Sequence, residues 1–222
     1  MLLVHCTAAC SPSSDEAAAP SVERAEAPAA PTALSADTKL VMAFGDSLYA
    51  GYGVKQDESF PAQLEKALSA KGLKVSVHNA GVSGDTTAAG LQRLAFALDG
   101  LPRKPDLVIL GLGGNDMLRG ISPDQTQSNL DAMLTELKKR DIDLVLTGLI
   151  AAPNLGKDYA DSFNPIYGTL AKKYDAELYP FFLDGVITDK ALMLPDGIHP
   201  NPQGISKVVA GISNMVAEEL KG

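Results

Sequence analysis

Leu107-Val108-Ile109-Leu110 and, further along, Leu144-Val145-Leu146 are apolar runs with no alternation. A strand with one wet face alternates apolar and polar residues. An unbroken run therefore belongs to a strand covered on both sides, as in a parallel sheet between helices. Extended to their natural limits, these runs predict strands over Asp106 to Leu112 and Ile142 to Leu149. Three further short runs, Lys39 to Phe44, Leu73 to Asn79 and Ala176 to Phe181, also qualify as strands. Segments of helical period lie between them. Ser122-Pro123-Asp124-Gln125 supplies an N-cap serine, a proline at the first helical position and a glutamine three residues after the cap. Leu130, Met133, Leu134 and Leu137 follow on one face. Near the end of the chain Ile205, Val208, Val209, Ile212, Met215, Val216 and Leu220 form another apolar face. Helices are also expected over Pro61 to Ala70, Thr86 to Leu98 and Tyr159 to Tyr174. Strands alternating with helices make an α/β domain with a mostly parallel sheet, predicted over residues 39–222.

The 222 residues carry 19 Lys plus Arg against 27 Asp plus Glu, a formal charge of -8, and no dense basic block. That argues against a nucleic-acid partner. No uninterrupted apolar run reaches the ~20 residues that cross a bilayer as a helix, so membrane attachment is expected only through the N-terminus. Both cysteines, Cys6 and Cys10, lie in the first ten residues, which leaves residues 39–222 with no disulfide, thiol nucleophile or thiolate metal site. Met1-Leu2-Leu3-Val4 is too short for a signal segment and lacks a basic start, while Thr7-Ala8-Ala9-Cys10 resembles a lipoprotein cleavage box. We therefore expect residues 1–10 to be a signal remnant whose true start lies upstream, with Cys10 lipidated in the periplasm or cell envelope. An unremarkable N-terminus fits the same letters. Residues 11–38, rich in Ala, Pro, Ser and Glu, are expected to be an unfolded tether.

In open parallel sheets the ligand crevice lies beyond the carboxyl ends of the strands, where the winding direction reverses. Four such ends carry polar chemistry. Gly45-Asp46-Ser47-Leu48 follows the first strand. Ser47 suits a nucleophile at a strand-to-helix turn, although an N-cap serine without chemistry fits as well. The second glycine of a Gly-x-Ser-x-Gly elbow is absent. Asn79-Ala80-Gly81-Val82-Ser83-Gly84-Asp85 follows the second strand and offers backbone N–H groups, or merely a tight turn. Leu112-Gly113-Gly114-Asn115-Asp116 follows the third, with a neutral amide donor that an ordinary turn would also explain. Asp196-Gly197-Ile198-His199-Pro200 precedes the last helix, and its spacing lets the Asp196 carboxylate fold back onto the His199 imidazole. Alone, His199 would equally suit a metal ligand or a surface position. Of the other histidines, His5 lies in the tail and His78 is expected to end a strand, so His199 is the best base.

Taken in order, Gly45-Asp46-Ser47-Leu48, Ser83-Gly84-Asp85, Gly113-Gly114-Asn115-Asp116 and Asp196-Gly197-Ile198-His199-Pro200 resemble the four blocks of the SGNH (GDSL) hydrolases, from about Lys39 to Leu220. The likeness is to the bacterial thioesterase I, lysophospholipase and arylesterase type. It implies a three-layer flavodoxin-like sandwich with a five-stranded parallel sheet in the order 2-1-3-4-5. Ser47 would be the nucleophile, His199 the base and Asp196 its orienter, with the Ser47 N–H, Gly84 N–H and Asn115 side chain forming the oxyanion hole. No metal or cofactor is implied. The expected partner is a small acyl ester or thioester, and a monomer is expected. The loop Gly81 to Asp85 and, by family analogy, the segment Ala151 to Gly156 would wall the acyl groove, with Asp46, Asp85, Pro153, Asn154 and Leu155 as candidate lining residues. The rival readings are a carbohydrate O-deacetylase, disfavoured by the lack of Trp for sugar stacking, and a non-catalytic envelope binding lipoprotein.

Overall fold

The computed structural model describes Met1–Leu2, Leu34–Ser35 and Asp37–Lys221. The chain divides into two units, residues 1–33 and residues 34–222. The expectations placed on Cys6, Cys10 and most of the tether lie outside the described residues.

Five strands form one sheet: β1 Lys39–Gly45, β2 Val75–Gly81, β3 Leu107–Gly111, β4 Asp143–Thr147 and β5 Glu177–Tyr179. All neighbours pair parallel, in the order β2-β1-β3-β4-β5. The apolar runs sit where two-sided cover requires. Every residue of β3 is buried, as are the last four of β4. The helices are α1 Ser47–Ala50, α2 Phe60–Ala70, α3 Thr87–Asp99, α4 Gly114–Leu118, α5 Pro123–Lys139, α6 Lys157–Phe163, α7 Pro165–Tyr174 and α8 Pro202–Glu219. One layer packs α2 on α8, and another packs α3 and α7 on α5. Right-handed crossovers between parallel strands send the chain to opposite faces in this way when the winding direction changes.

Two details differ from the sequence reading. The single helix expected over Tyr159 to Tyr174 is two helices that meet at Asn164, because Pro165 has no N–H to continue the first and starts the second at its N1 position. His78 lies within β2 rather than at its end.

The carboxyl edge of the sheet positions the site. Gly45 is in register with Gly81 on one side and Gly111 on the other, a row of three residues without side chains. The short helix α1 settles onto that row. A Cβ at Gly81 would lie 2.3 Å from the Ala50 nitrogen, and one at Gly111 would lie 2.4 Å from the Tyr49 hydroxyl. Tyr49 is buried beneath α1, its ring against Phe60 and Phe182 and its hydroxyl 2.8 Å from Thr147 Oγ1. Because β1 has β2 on one side and β3 on the other, the winding direction reverses between the ends of β1 and β3. Ser47 and Asn115 emerge on either side of that point.

Candidate active site

Asp46, not Ser47, caps α1: its Oδ1 accepts the Leu48 N–H at 3.0 Å. The capping role that competed for Ser47 is thereby filled, and the serine hydroxyl is left free to point elsewhere. Its partner is His199, with 2.8 Å between Ser47 Oγ and His199 Nε2. On the far side of the ring, His199 Nδ1 lies 2.7 Å from Asp196 Oδ2. The loop that holds this pair is built by its own backbone. Gly197 takes a left-handed φ of +68°, and Asp196 Oδ1 accepts the N–H groups of Ile198 at 2.9 Å and His199 at 3.0 Å. The His199 carbonyl accepts the Leu194 N–H at 2.8 Å. Asn201 then caps α8 through Gln203 and Gly204.

Those two backbone N–H groups, together with the imidazole, hold the Asp196 carboxyl down to about 2. It is ionised at any ordinary pH and can only accept. The proton on the ring therefore sits on Nδ1, and Nε2 presents its lone pair to the serine hydroxyl. Tyr52 covers the imidazole from outside, with ring centroids 4.4 Å apart.

Two further predicted residues come to the same place. Gly84 has a φ of +87°, a conformation that side-chain-bearing residues rarely adopt. Asn115 Nδ2 donates to the Asp85 carbonyl at 2.9 Å and lies 3.5 Å from Asp46 Oδ2. Ser47, Gly84, Asn115 and His199 all open onto one cavity of about 440 Å³. Its wall is mainly apolar, with Leu118, Leu149, Leu183, Ile187 and Ile198 contributing.

The groove expectations need correction. Asp46 does line the cavity, but Asp85, Pro153, Asn154 and Leu155 do not. Asp85 turns its carboxylate away to Arg93, 2.5 Å from its Nε. Pro153–Leu155 is a single 3-10 turn that leaves Pro153 and Asn154 in solvent, and the same segment reaches the cavity only through Ala152. Leu118, Leu149, Leu183 and Ile187, which form much of the wall, have no place in the motif blocks. Ile198 and Tyr52 carried a usable signal, since Ile198 adjoins His199 and Tyr52 is a large aromatic group between Gly51 and Gly53, shortly after Ser47. Leu183 and Ile187 come from the irregular segment after β5, where no periodicity marks them.

Asp46 itself is buried, and burial pushes its carboxyl up to about 6 against the opposing pull of the Leu48 N–H and of His199; Asp85 adds to the rise. An acid whose folded pKa lies above its ordinary 3.8 stabilises the fold while protonated, and that contribution is lost as pH rises through about 6. The shift corresponds to about 3 kcal/mol. Asp46→Asn removes this titration and retains an oxygen for the cap. Relative to the parent, it is expected to gain stability between pH 4 and pH 8 in urea unfolding. A stability difference that stays constant across that range would show that burial of the carboxylate carries no penalty.

Comparison with known proteins agrees with this geometry. Residues 43–205 match the model of the GDSL-like lipase/acylhydrolase family. The chain is 41% identical to an arylesterase of Vibrio mimicus over 189 residues, covering 85% of this chain and 92% of that protein. It is 40% identical to the thioesterase 1/protease 1/lysophospholipase L1 of Escherichia coli over 169 residues, covering 76% and 78% respectively. Among solved structures, that of AlinE4, an SGNH-hydrolase family esterase, superimposes with a TM-score of 0.71 at 51% identity over 82% of this chain and 96% of that one. A match across most of the sheet and through every motif block leaves one conclusion: the chain belongs to the GDSL-like lipase/acylhydrolase family and is an SGNH hydrolase.

Proposed function

We propose that this protein is a serine esterase that hydrolyses carboxylic esters and acyl thioesters, lysophospholipids among them, through an acyl-enzyme on Ser47. The observation that carries the reading is the chain of two short contacts, Ser47 Oγ to His199 Nε2 at 2.8 Å and His199 Nδ1 to Asp196 Oδ2 at 2.7 Å, at the rim of an apolar cavity. The names of the relatives, an arylesterase and a thioesterase with lysophospholipase activity, support the same substrate classes.

In the first half-reaction Ser47 Oγ attacks the acyl carbonyl while its proton passes to His199 Nε2. The imidazolium that forms is stabilised by the Asp196 carboxylate. Negative charge develops on the carbonyl oxygen, where the N–H groups of Ser47 and Gly84 and the Asn115 amide would donate to it. One Asn115 hydrogen is committed to the Asp85 carbonyl. The other has only the 3.5 Å approach to Asp46, which leaves it available to an oxyanion. Collapse breaks the bond to the alcohol or thiol, which departs with the proton from His199. Water then repeats the sequence on the acyl-enzyme, losing its proton to His199, and the acid is released with Ser47 restored.

The apolar wall favours an alkyl or aryl acyl group over an acetylated sugar. The test is turnover of p-nitrophenyl acetate, butyrate and octanoate beside a long-chain acyl-CoA and acetylated xylan. The butyrate and octanoate esters are expected to be turned over and the xylan to be the poorest substrate. Preference for xylan would favour an O-deacetylase, and no turnover of any of them would favour a binding protein. The Cys10 box and the segment behind it support a periplasmic or envelope location with Cys10 as the lipid acceptor. Fractionation that leaves the native protein in the cytosol would remove this placement.

A further inference from the structure

Each proposed oxyanion donor comes from a different stretch of chain: Ser47 from the end of β1, Gly84 from the loop after β2, and Asn115 from the start of α4. One side chain outside the cavity lining ties the first two of these stretches together; α4 is joined to the second by the Asn115 amide on the Asp85 carbonyl and by Arg119 Nη2, 2.8 Å from the Gly84 carbonyl. Arg93, on α3, donates from Nε to Asp85 Oδ2 at 2.5 Å and from Nη2 to the Gly45 carbonyl at 3.0 Å. Its guanidinium carbon sits 4.0 Å from the centre of the Phe44 ring. The ion pair is shielded, with side-chain exposures of 22% for Arg93 and 12% for Asp85.

The covalent neighbours of these contacts are what matter. Gly45 is two residues before Ser47, and its carbonyl also accepts the Val82 N–H at 3.0 Å. Asp85 directly follows Gly84, and its own carbonyl receives the Asn115 amide at 2.9 Å. We propose that Arg93 is a positioning residue for the reaction: through Gly45 and Asp85 it fixes the distances among the three oxyanion donors. The inference rests on the esterase reading above. A planar guanidinium can aim two N–H groups at two fixed acceptors while lying flat on an aromatic face. An ammonium on a flexible stem cannot hold all three at once. Oxyanion donors act only when their geometry is set before charge develops, so loosening them lowers kcat and leaves ground-state binding largely intact.

The experiment is a double-mutant cycle on the full chain with p-nitrophenyl butyrate, using Arg93→Met, Arg93→Lys, Asn115→Ala and the combinations, with folding followed by circular dichroism. Arg93→Met is expected to lower kcat by roughly 10- to 30-fold with KM changed less than about twofold. In the Asn115→Ala background the same change should cost no more than about threefold, because one of the donors it positions is already gone. Arg93→Lys keeps the charge beside Asp85 and should still lose several-fold in kcat; it carries the cycle if the Met variant does not fold. Three results would overturn the proposal: equal losses of kcat in both backgrounds, a rise in KM at constant kcat, or full activity with Lys. Asn115→Ala alone separates the two layers of argument. If it leaves the rate unchanged, the oxyanion reading itself fails. If it slows the enzyme but the Arg93 variants are additive with it, only the role of Arg93 is lost.

Discussion

Ser47→Ala is expected to reduce kcat on p-nitrophenyl butyrate by on the order of 10⁶-fold, the scale seen when a serine nucleophile is removed from a Ser-His-Asp enzyme. The fold should survive. Ser47 is the first residue of α1, but the cap of that helix is Asp46, and the packing that seats it belongs to Tyr49. Removing one oxygen from the rim of the cavity leaves both in place, so thermal unfolding of the variant should track the parent closely. An Ala variant within tenfold of the parent rate would mean that Ser47 Oγ forms no acyl-enzyme. The 2.8 Å contact with His199 would then be structural only.

The second large effect concerns Asn115. Replacing it with Ala should lower kcat by roughly 10² to 10³, or about 2.7 to 4 kcal/mol of transition-state stabilisation, the range found for loss of one side-chain oxyanion donor. KM should move little, because the carbonyl oxygen carries its negative charge only in the transition state. Steady-state kinetics with p-nitrophenyl esters of different chain length provide the check. The loss should be the same for each ester, since the amide addresses the reacting oxygen and not the alkyl chain. A loss that grows with chain length would place Asn115 in substrate binding. The variant also frees the Asp85 carbonyl from its 2.9 Å partner, but the space that the Asn115 side chain vacates is continuous with the cavity that Asn115 lines, so water can take its place.

The sheet was legible because burial on both faces forces an unbroken apolar run, and Leu107 to Leu110 and Leu144 to Leu146 leave no other comfortable interpretation. That Ser47, Gly84, Asn115, Asp196 and His199 would meet at one edge of the sheet was legible because they appear in order, each after a strand or before the last helix, although each signal alone also fits an ordinary cap or turn. What failed depended on direction in space. Pro153, Asn154 and Leu155 occupy the right loop, but the 3-10 turn puts Pro153 and Asn154 in solvent, keeps the half-buried Leu155 off the cavity and leaves Ala152 to touch it. Asp85 sits next to Gly84 and still points to the opposite side, drawn by a cation eight residues later on α3. Leu183 and Ile187 belong to a segment without strand or helical period, so no one-dimensional pattern could assign them to the wall. The break at Pro165 was visible in the letters, and the apolar spacing on either side of it masked the missing N–H.

The hydroxyl of Ser47 and the ring of His199 are separated by 152 residues of chain. During synthesis the amino-terminal part of the sheet leaves the ribosome well before the imidazole is made, so a nascent or prematurely ended polypeptide holds an unarmed serine. In the reaction proposed for this site, hydrolytic power arrives only with the loop between β5 and α8, when almost the whole domain has been translated, so every unfinished copy would leave the esters around it intact.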